Sequence, residues 1–397
     1  MAGFDEQRLG RLRVAMERHV EAGALPGLVA LVSRGDETRV EAVGRASFDG
    51  PPMRRDTVFR IASMTKPVTA AATLMLVEEC LLRLDDPVDE LLPELAGRRV
   101  LRGLDSELDD TVPAHRAITL RDLLTFRMGF GVVMAPLGTY PIQAAMFDAG
   151  LMPGAVPPTL SPEEWLRGLG ELPLMHQPGE VWQYHTGSDV LGILIERAVG
   201  RPLGEVLQER IFGPLGMRDT GFQVPAGSLD RLPTAYRPDR AGSLTAYDSP
   251  ADSGWARPPV FASGGGGLVS TADDYLAFCR MLLAKGRTPE GQLLSRPSVE
   301  LMTTDQLTAA QRAAAPLFFG AGGAERGWGM GCGITLRRHE LWGSPGRFGW
   351  DGGAGTSGYT DPAEGLIGVL LTQRAMTSPE PPALFRDFWT AAYQAID

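Results

Sequence analysis

Lysine is almost missing from this chain of 397 residues: Lys66 and Lys285 are the only two among 38 basic residues. Arginine is the general surface cation, so a lysine carries more information than usual. Cysteine is sparse as well. Cys80, Cys279 and Cys332 are odd in number and far apart, which excludes a disulfide framework and metal-ligand spacing and leaves three reduced, mostly buried thiols. The five histidines, His19, His115, His176, His185 and His339, contain no His-x-x-x-His or zinc-ligand pair. Positive charge is in deficit: the net charge is −10, and nucleic-acid binding needs a dense basic surface. No run approaches the roughly 18 uncharged apolar residues of a membrane helix. Residues Met1-Ala2-Gly3-Phe4-Asp5-Glu6-Gln7 carry charge where a signal peptide needs an apolar stretch, so a soluble, cytoplasmic protein is expected. There is no Gly-x-Ser-x-Gly elbow and no dinucleotide fingerprint. The Gly264–Gly267 run lacks the Gly-Lys-Ser ending of a phosphate loop. Nothing calls for a cofactor or a metal.

What remains is a globular composition, 44% hydrophobic and 22% charged, able to build a core of normal size. Residues 5–22 have helical periodicity, with Leu9, Leu12, Met16 and Val20 on one stripe. Residues 28–44 read as two strands turning at Arg34-Gly35-Asp36. From Ser63 to 84 the chain is helical and apolar nearly all round, as in a buried helix, with Pro67 tolerable in its first turn. Helical signals dominate from 85 to 222, including a short helix over 118–126 capped by Thr119. Residues 131–162 read as a long loop rich in Gly, Pro and Met, placed to overhang a site. After 260, Ser270 or Thr271 caps a helix. GWGMGCGITLRR, HELWGSPG, GTSGYTDP and LIGVLLTQRA then read as strands between glycine turns, and FWTAAYQAI as a closing helix. The predicted fold class is α/β of the α+β type: an antiparallel sheet flanked by helices, built from both termini, with a large helical insertion. Residues 1–84 and 223–397 form the sheet domain, carrying Ser63 and Trp350. Residues 85–222 form the insertion, carrying Tyr184.

Ser63-Met64-Thr65-Lys66 is the strongest chemical feature. Three residues apart on a helix, serine and lysine share one face, one turn apart. The helix N-terminus favours a developing anion, and burial lowers an ammonium pKa, so a neutral Lys66 can take the hydroxyl proton. Tyr184, between glycine turns and a helix start, is a cleft-facing general base and acid or, taken alone, a half-buried packing residue. Gly349-Trp350-Asp351-Gly352-Gly353-Ala354-Gly355-Thr356 is a close backbone approach to a ligand, with a strand-edge N–H for an oxyanion, or a tight turn with a packed tryptophan. His185 adjoins Tyr184; neighbours in an extended segment point opposite ways, which reads His185 as structural.

In these motifs the sequence resembles the serine hydrolases of the penicillin-binding-protein and β-lactamase superfamily. It looks most like carboxylesterases sharing the class C β-lactamase fold. VFRIASMTKPVTAAATLMLVEE, ITLRDLLT, PGEVWQY, FGPLGMRDTGF, GGGGLVSTADDY and GWDGGAGTSGYTDP follow the family's order. The resemblance implies Ser63 as acylated nucleophile, Lys66 as its proton acceptor and Tyr184 as second base and acid. It puts Trp350-Asp351-Gly352 where β-lactamases carry Lys-Thr-Gly. Gly353 and Ser63 would give the oxyanion N–H groups. Two departures matter. Thr186 replaces the Asn of Tyr-x-Asn, and Trp350 replaces the lysine that binds the β-lactam carboxylate, which favours a neutral ester. Phe126 and Arg127 replace polar residues of the family's Leu-Leu-Thr-His-Thr-Ser-Gly. The expected activity is two-step ester hydrolysis of a small-molecule substrate, with no nucleic-acid or membrane partner. A β-lactamase, a D-amino-acid peptidase or amidase, and an acyltransferase are the alternatives on the same site. An acylatable sensor is the alternative outside catalysis.

Overall fold

The computed structural model describes residues 3–396. Strands β1 (Gly27–Arg34) and β2 (Glu37–Gly44) are the expected hairpin, turning at Gly35 and Asp36. The C-terminal third supplies β3 (Arg326–Trp328), β4 (Gly333–Thr335), β5 (Phe348–Gly352), β6 (Thr356–Asp361) and β7 (Leu366–Thr372). They form one antiparallel sheet in the order β3-β4-β5-β6-β7-β1-β2. Leu28 of β1 stands opposite Thr372 of β7, so the two ends of the chain close the sheet between them, as expected.

Five principal helices accompany it: α1 (Glu6–Glu21), α2 (Thr65–Glu78), α3 (Thr186–Val199), α4 (Ala272–Leu283) and α5 (Ala383–Gln394). Every residue of β1 is buried. Successive side chains of a strand point to opposite faces, so both faces of the sheet must be covered. Leu28, Ala30 and Val32 pack with Leu9, Leu12 and Met16 of α1 and with Phe385, Phe388 and Trp389 of α5. Val29 and Leu31 belong to the core that includes α2, α3 and α4. Each large apolar side chain so buried contributes roughly 1.5–3 kcal/mol. The α2 helix is buried at 12 successive positions, Thr65 to Leu76, which explains its lack of a polar face.

Thr119 caps the short helix Leu120–Leu124 in a reciprocal box with Asp122, and Thr271 caps α4. Two expectations give way. Residues 131–162 are not all loop, because Pro141 opens a helix over Pro141–Asp148. HELWGSPG forms no strand: Gly343 and Gly346 have φ of 84° and 88° and flank Pro345, which cannot donate to a ladder. Among the described residues no helix is long and apolar enough to cross a membrane.

Candidate active site

Ser63 lies in a single 3₁₀ turn, Ala62–Met64, and α2 proper starts at Thr65, two residues later than expected. The turn is clamped from several sides. The Ile61 N–H donates to the Leu268 carbonyl (3.0 Å), the Tyr275 hydroxyl to the Met64 carbonyl (3.2 Å), and Thr356 Oγ1 to the Ile61 carbonyl (3.1 Å). Gly352 lets β5 come this close, since a Cβ there would stand 2.3 Å from the Ile61 oxygen. Ala62 is held at a φ of 43°, a left-handed conformation that costs a non-glycine residue energy and occurs at positions the surroundings over-determine.

The one-turn spacing of Ser63 and Lys66 has the expected result. Lys66 Nζ and Ser63 Oγ lie within hydrogen-bond distance, 2.9 Å apart. Lys66 is fully buried, and this desolvation brings its ammonium from the ordinary 10.5 down to about 7, against an opposing pull from Asp189. The amine donates to the Gly265 carbonyl at 2.6 Å and meets His185 Nδ1 at 3.1 Å.

Tyr184 sits half-buried against the same amine, Lys66 Nζ lying 4.8 Å from its ring centroid. Around it stand Phe126, Trp182, Phe318, Trp328 and Trp350, with ring centroids 5.1–6.3 Å from its own. Phe126, where the family pattern has a polar residue, is thus part of an aromatic wall behind Tyr184; Arg127 turns back to Thr125 Oγ1 at 3.0 Å. Burial pushes the Tyr184 hydroxyl upward from its ordinary value near 10, and hydrogen bonds with Ser63 and Trp350 oppose the rise only in part.

The expectation that His185 points away from Tyr184 is overturned. It assumed an extended backbone, but His185 has φ 84° and ψ −65°, and the Thr186 N–H reaches the Tyr184 carbonyl at 3.3 Å. This is a γ-turn, and it brings the side chains of both Tyr184 and His185 to Lys66. His185 Nε2 pairs with Asp189 Oδ2 at 3.0 Å. The Oδ1 atom of Asp189 accepts from Ser263 Oγ at 2.6 Å and from the Gly265 N–H at 2.9 Å. The glycine run set aside as no phosphate loop therefore supplies the backbone beneath the amine; a Cβ on Gly265 would lie 2.9 Å from Asp189 Oδ1. The four-residue spacing of His185 and Asp189 at a helix start was the signal available in the sequence.

A cavity of about 440 Å³ opens on Ser63. Gly353 and Ala354 line it with His185, Asp189, Trp165, Trp255 and the segment 150–159. Ser63 and Gly353 are thus brought to one cavity, while Lys66, Tyr184 and Trp350 stand behind Ser63 without lining it. Asp351 is a correction to the carried-over site. Alternation along β5 sends Trp350 to Tyr184 and the Asp351 carboxylate to the opposite face, where it accepts from Ser357 Oγ (2.6 Å) and the Tyr359 hydroxyl (3.2 Å). Gly352 acts through close packing. The free thiols of Cys279 and Cys332 are buried and pushed up to about 12, so they stay protonated, whereas Cys80 is exposed.

A model of the beta-lactamase family matches residues 12–387. The chain belongs to the beta-lactamase family. This beta-lactamase-family chain is 40% identical over 364 residues to the protein Rv1367c of Mycobacterium tuberculosis, covering 89% of this chain and 87% of the relative. It is 32% identical over 397 residues to Esterase EstB of Burkholderia gladioli (94% and 92% covered). Among solved structures it is similar to EstCE1, described as a hydrolase with promiscuous acyltransferase activity, with a TM-score of 0.81, 26% identity and 98% and 99% coverage. The fold is that of β-lactamases and transpeptidases, and the chain is a serine hydrolase of that fold.

Proposed function

We propose that this serine hydrolase cleaves small carboxylic esters by a two-step acyl-serine mechanism. The observation that carries the reading is the 2.9 Å contact between Ser63 Oγ and a buried lysine amine whose proton is lost near pH 7. A neutral Lys66 takes the Ser63 proton as Oγ attacks the ester carbonyl carbon. The oxyanion sits on the N–H groups of Ser63 and Gly353. The C–O bond to the alcohol breaks, and the leaving oxygen takes its proton from the Tyr184 hydroxyl, which is replenished from Lys66. Burial keeps Tyr184 protonated, so it enters as acid and Lys66 as base. In the second step water attacks the acyl-enzyme, its proton passes to the same pair, and Ser63 regains its own.

Trp350 supports an ester over a β-lactam. Its indole stands behind Ser63 at the motif position where β-lactamases carry the carboxylate-binding lysine, and the cavity wall mixes Gly, Ala, Pro, Val, Met and Trp with Arg60, held by Asp248, and Arg237. Similarity to a hydrolase with promiscuous acyltransferase activity favours a second reading, in which an alcohol replaces water in the second step.

The test is a pair of initial rates, on p-nitrophenyl butyrate and on a chromogenic cephalosporin, for wild type and Ser63→Ala. Ester turnover that disappears in the variant, with little cephalosporin turnover, is expected. Ester turnover surviving in Ser63→Ala removes the mechanism; cephalosporin turnover at or above the ester rate removes the substrate assignment. Product partitioning with added alcohol separates hydrolysis from acyl transfer.

A further inference from the structure

We infer that His185, oriented by Asp189, is a positioning residue that turns the Lys66 amine so that its lone pair faces Ser63. The inference rests on the acyl-serine reading above and deepens it. A neutral amine has two N–H groups and one lone pair. Three partners surround Lys66 Nζ: Ser63 Oγ at 2.9 Å, the Gly265 carbonyl at 2.6 Å and His185 Nδ1 at 3.1 Å. The carbonyl can only accept, so it takes one N–H. If His185 Nδ1 also accepts, the second N–H is taken, and only the lone pair is left for the serine hydroxyl. If Nδ1 instead carries a proton, it draws the lone pair to itself and the amine turns an N–H toward Ser63, the wrong polarity for a base.

Asp189 decides between these tautomers. Its carboxylate, an acceptor only, stands 3.0 Å from His185 Nε2, so Nε2 carries the proton and Nδ1 is free to accept. Asp189 is itself fixed by Ser263 Oγ and the Gly265 N–H, both on Oδ1. Gly265 thus holds the carboxylate with its N–H and the amine with its carbonyl. The γ-turn at His185 is a rare, strained conformation, and it brings two consecutive side chains to one amine. The groups facing Lys66 and His185 are each other, Asp189 and Tyr184. The cavity adds Arg60, paired with Asp248, and Arg237 and Tyr247. Burial and the neighbouring Lys66 both favour neutral His185.

Asp189→Asn tests the inference with little change of shape. Ser263 and Gly265 both need an acceptor, so the amide oxygen stays on their side and the amide N–H₂ faces His185 Nε2. That forces the proton onto Nδ1, pointing at Lys66. The readout is the rate at which a fluorophosphonate labels Ser63, mapped by mass spectrometry and followed against pH. The expected result is labelling slower by roughly 100-fold or more on the plateau, within the roughly 10⁴-fold loss that a wrong catalytic tautomer can cause. The acidic limb moves to lower pH as well, because the lone pair is engaged by Nδ1–H and the anion that favours Lys66 protonation is gone. The lost charge of Asp189 alone would move that limb but leave the plateau rate in place. A plateau rate within about twofold of wild type therefore overturns the inference. Nitrogen-15 NMR of wild-type His185, assigned with His185→Asn, gives a check independent of how the Asp189 variant folds: a proton on Nδ1 also overturns it. If wild-type Ser63 is not labelled at all, the acyl-serine reading fails, and this inference with it.

Discussion

The Trp350 indole N–H donates to the Tyr184 hydroxyl oxygen at 2.6 Å. This occupies a lone pair of the phenol and leaves its proton to be directed elsewhere, on the side of Ser63. Trp350→Phe keeps an aromatic ring against Trp328 (centroids 4.7 Å apart) and removes only the donor. Loss of one such bond, about 1–1.5 kcal/mol, corresponds to roughly a tenfold lower kcat on p-nitrophenyl butyrate, with KM little changed. An unchanged kcat would mean that the indole orients nothing.

The pH profile follows from two neighbours moved in opposite directions. Lys66 is brought down to about 7, while Tyr184 is pushed up from its ordinary value. The base form of Lys66 grows as pH rises, so kcat/KM is expected to climb through a limb near 7. Tyr184 contributes no falling limb in the neutral range, since it stays protonated there. A limb centred below pH 5.5 would assign the titration to another group, such as His185 with its lowered imidazole, and exclude Lys66 as the base.

The buried amine also costs stability, and the cost depends on pH. The folded state releases the Lys66 proton near 7, the unfolded chain only near the ordinary 10.5. Between these values the unfolded state holds more protons, so stability rises with pH. Below about 7 both states are protonated and the folded protein bears the full cost of a desolvated ammonium. Lys66→Met removes that group at similar volume. It is expected to be inactive and to unfold at a higher temperature than wild type at pH 6, by a margin that narrows as pH rises toward 10. A margin that widens with pH would refute the lowered lysine pKa.

How much of this was legible in the sequence depends on whether the backbone could be read locally. Ser63 and Lys66 were legible because a three-residue step on a helix brings two side chains together whatever surrounds them. The sheet closed by β1 and β7 was legible because both segments are short apolar runs bounded by turn residues. His185 was not: the expectation assumed extended geometry, and a single residue at φ 84° reverses which way the side chain points. Asp351 was carried over as part of a motif, yet the period of two along β5 already separates it from Trp350. The aromatic wall around Tyr184 joins Phe126, Trp182, Phe318, Trp328 and Trp350, far apart in the chain, and no local pattern connects them.

The segment 150–159, with three prolines and a methionine, lines the cavity along its whole length. Proline limits how far such a wall can adjust to a bulkier acyl chain, so the side chains on it set the available length. Met152 is the long, adaptable side chain among them, half-buried against the main core. Met152→Ala enlarges the cavity and is expected to raise the ratio of p-nitrophenyl octanoate to butyrate turnover severalfold. Met152→Trp narrows it and is expected to lower the same ratio. Each methylene admitted to or excluded from an apolar pocket changes relative kcat/KM by roughly 10–200-fold at most, so opposite shifts of several-fold in the two variants are readily measured. If both variants move the ratio in one direction, or neither moves it, the acyl chain does not lie against this segment.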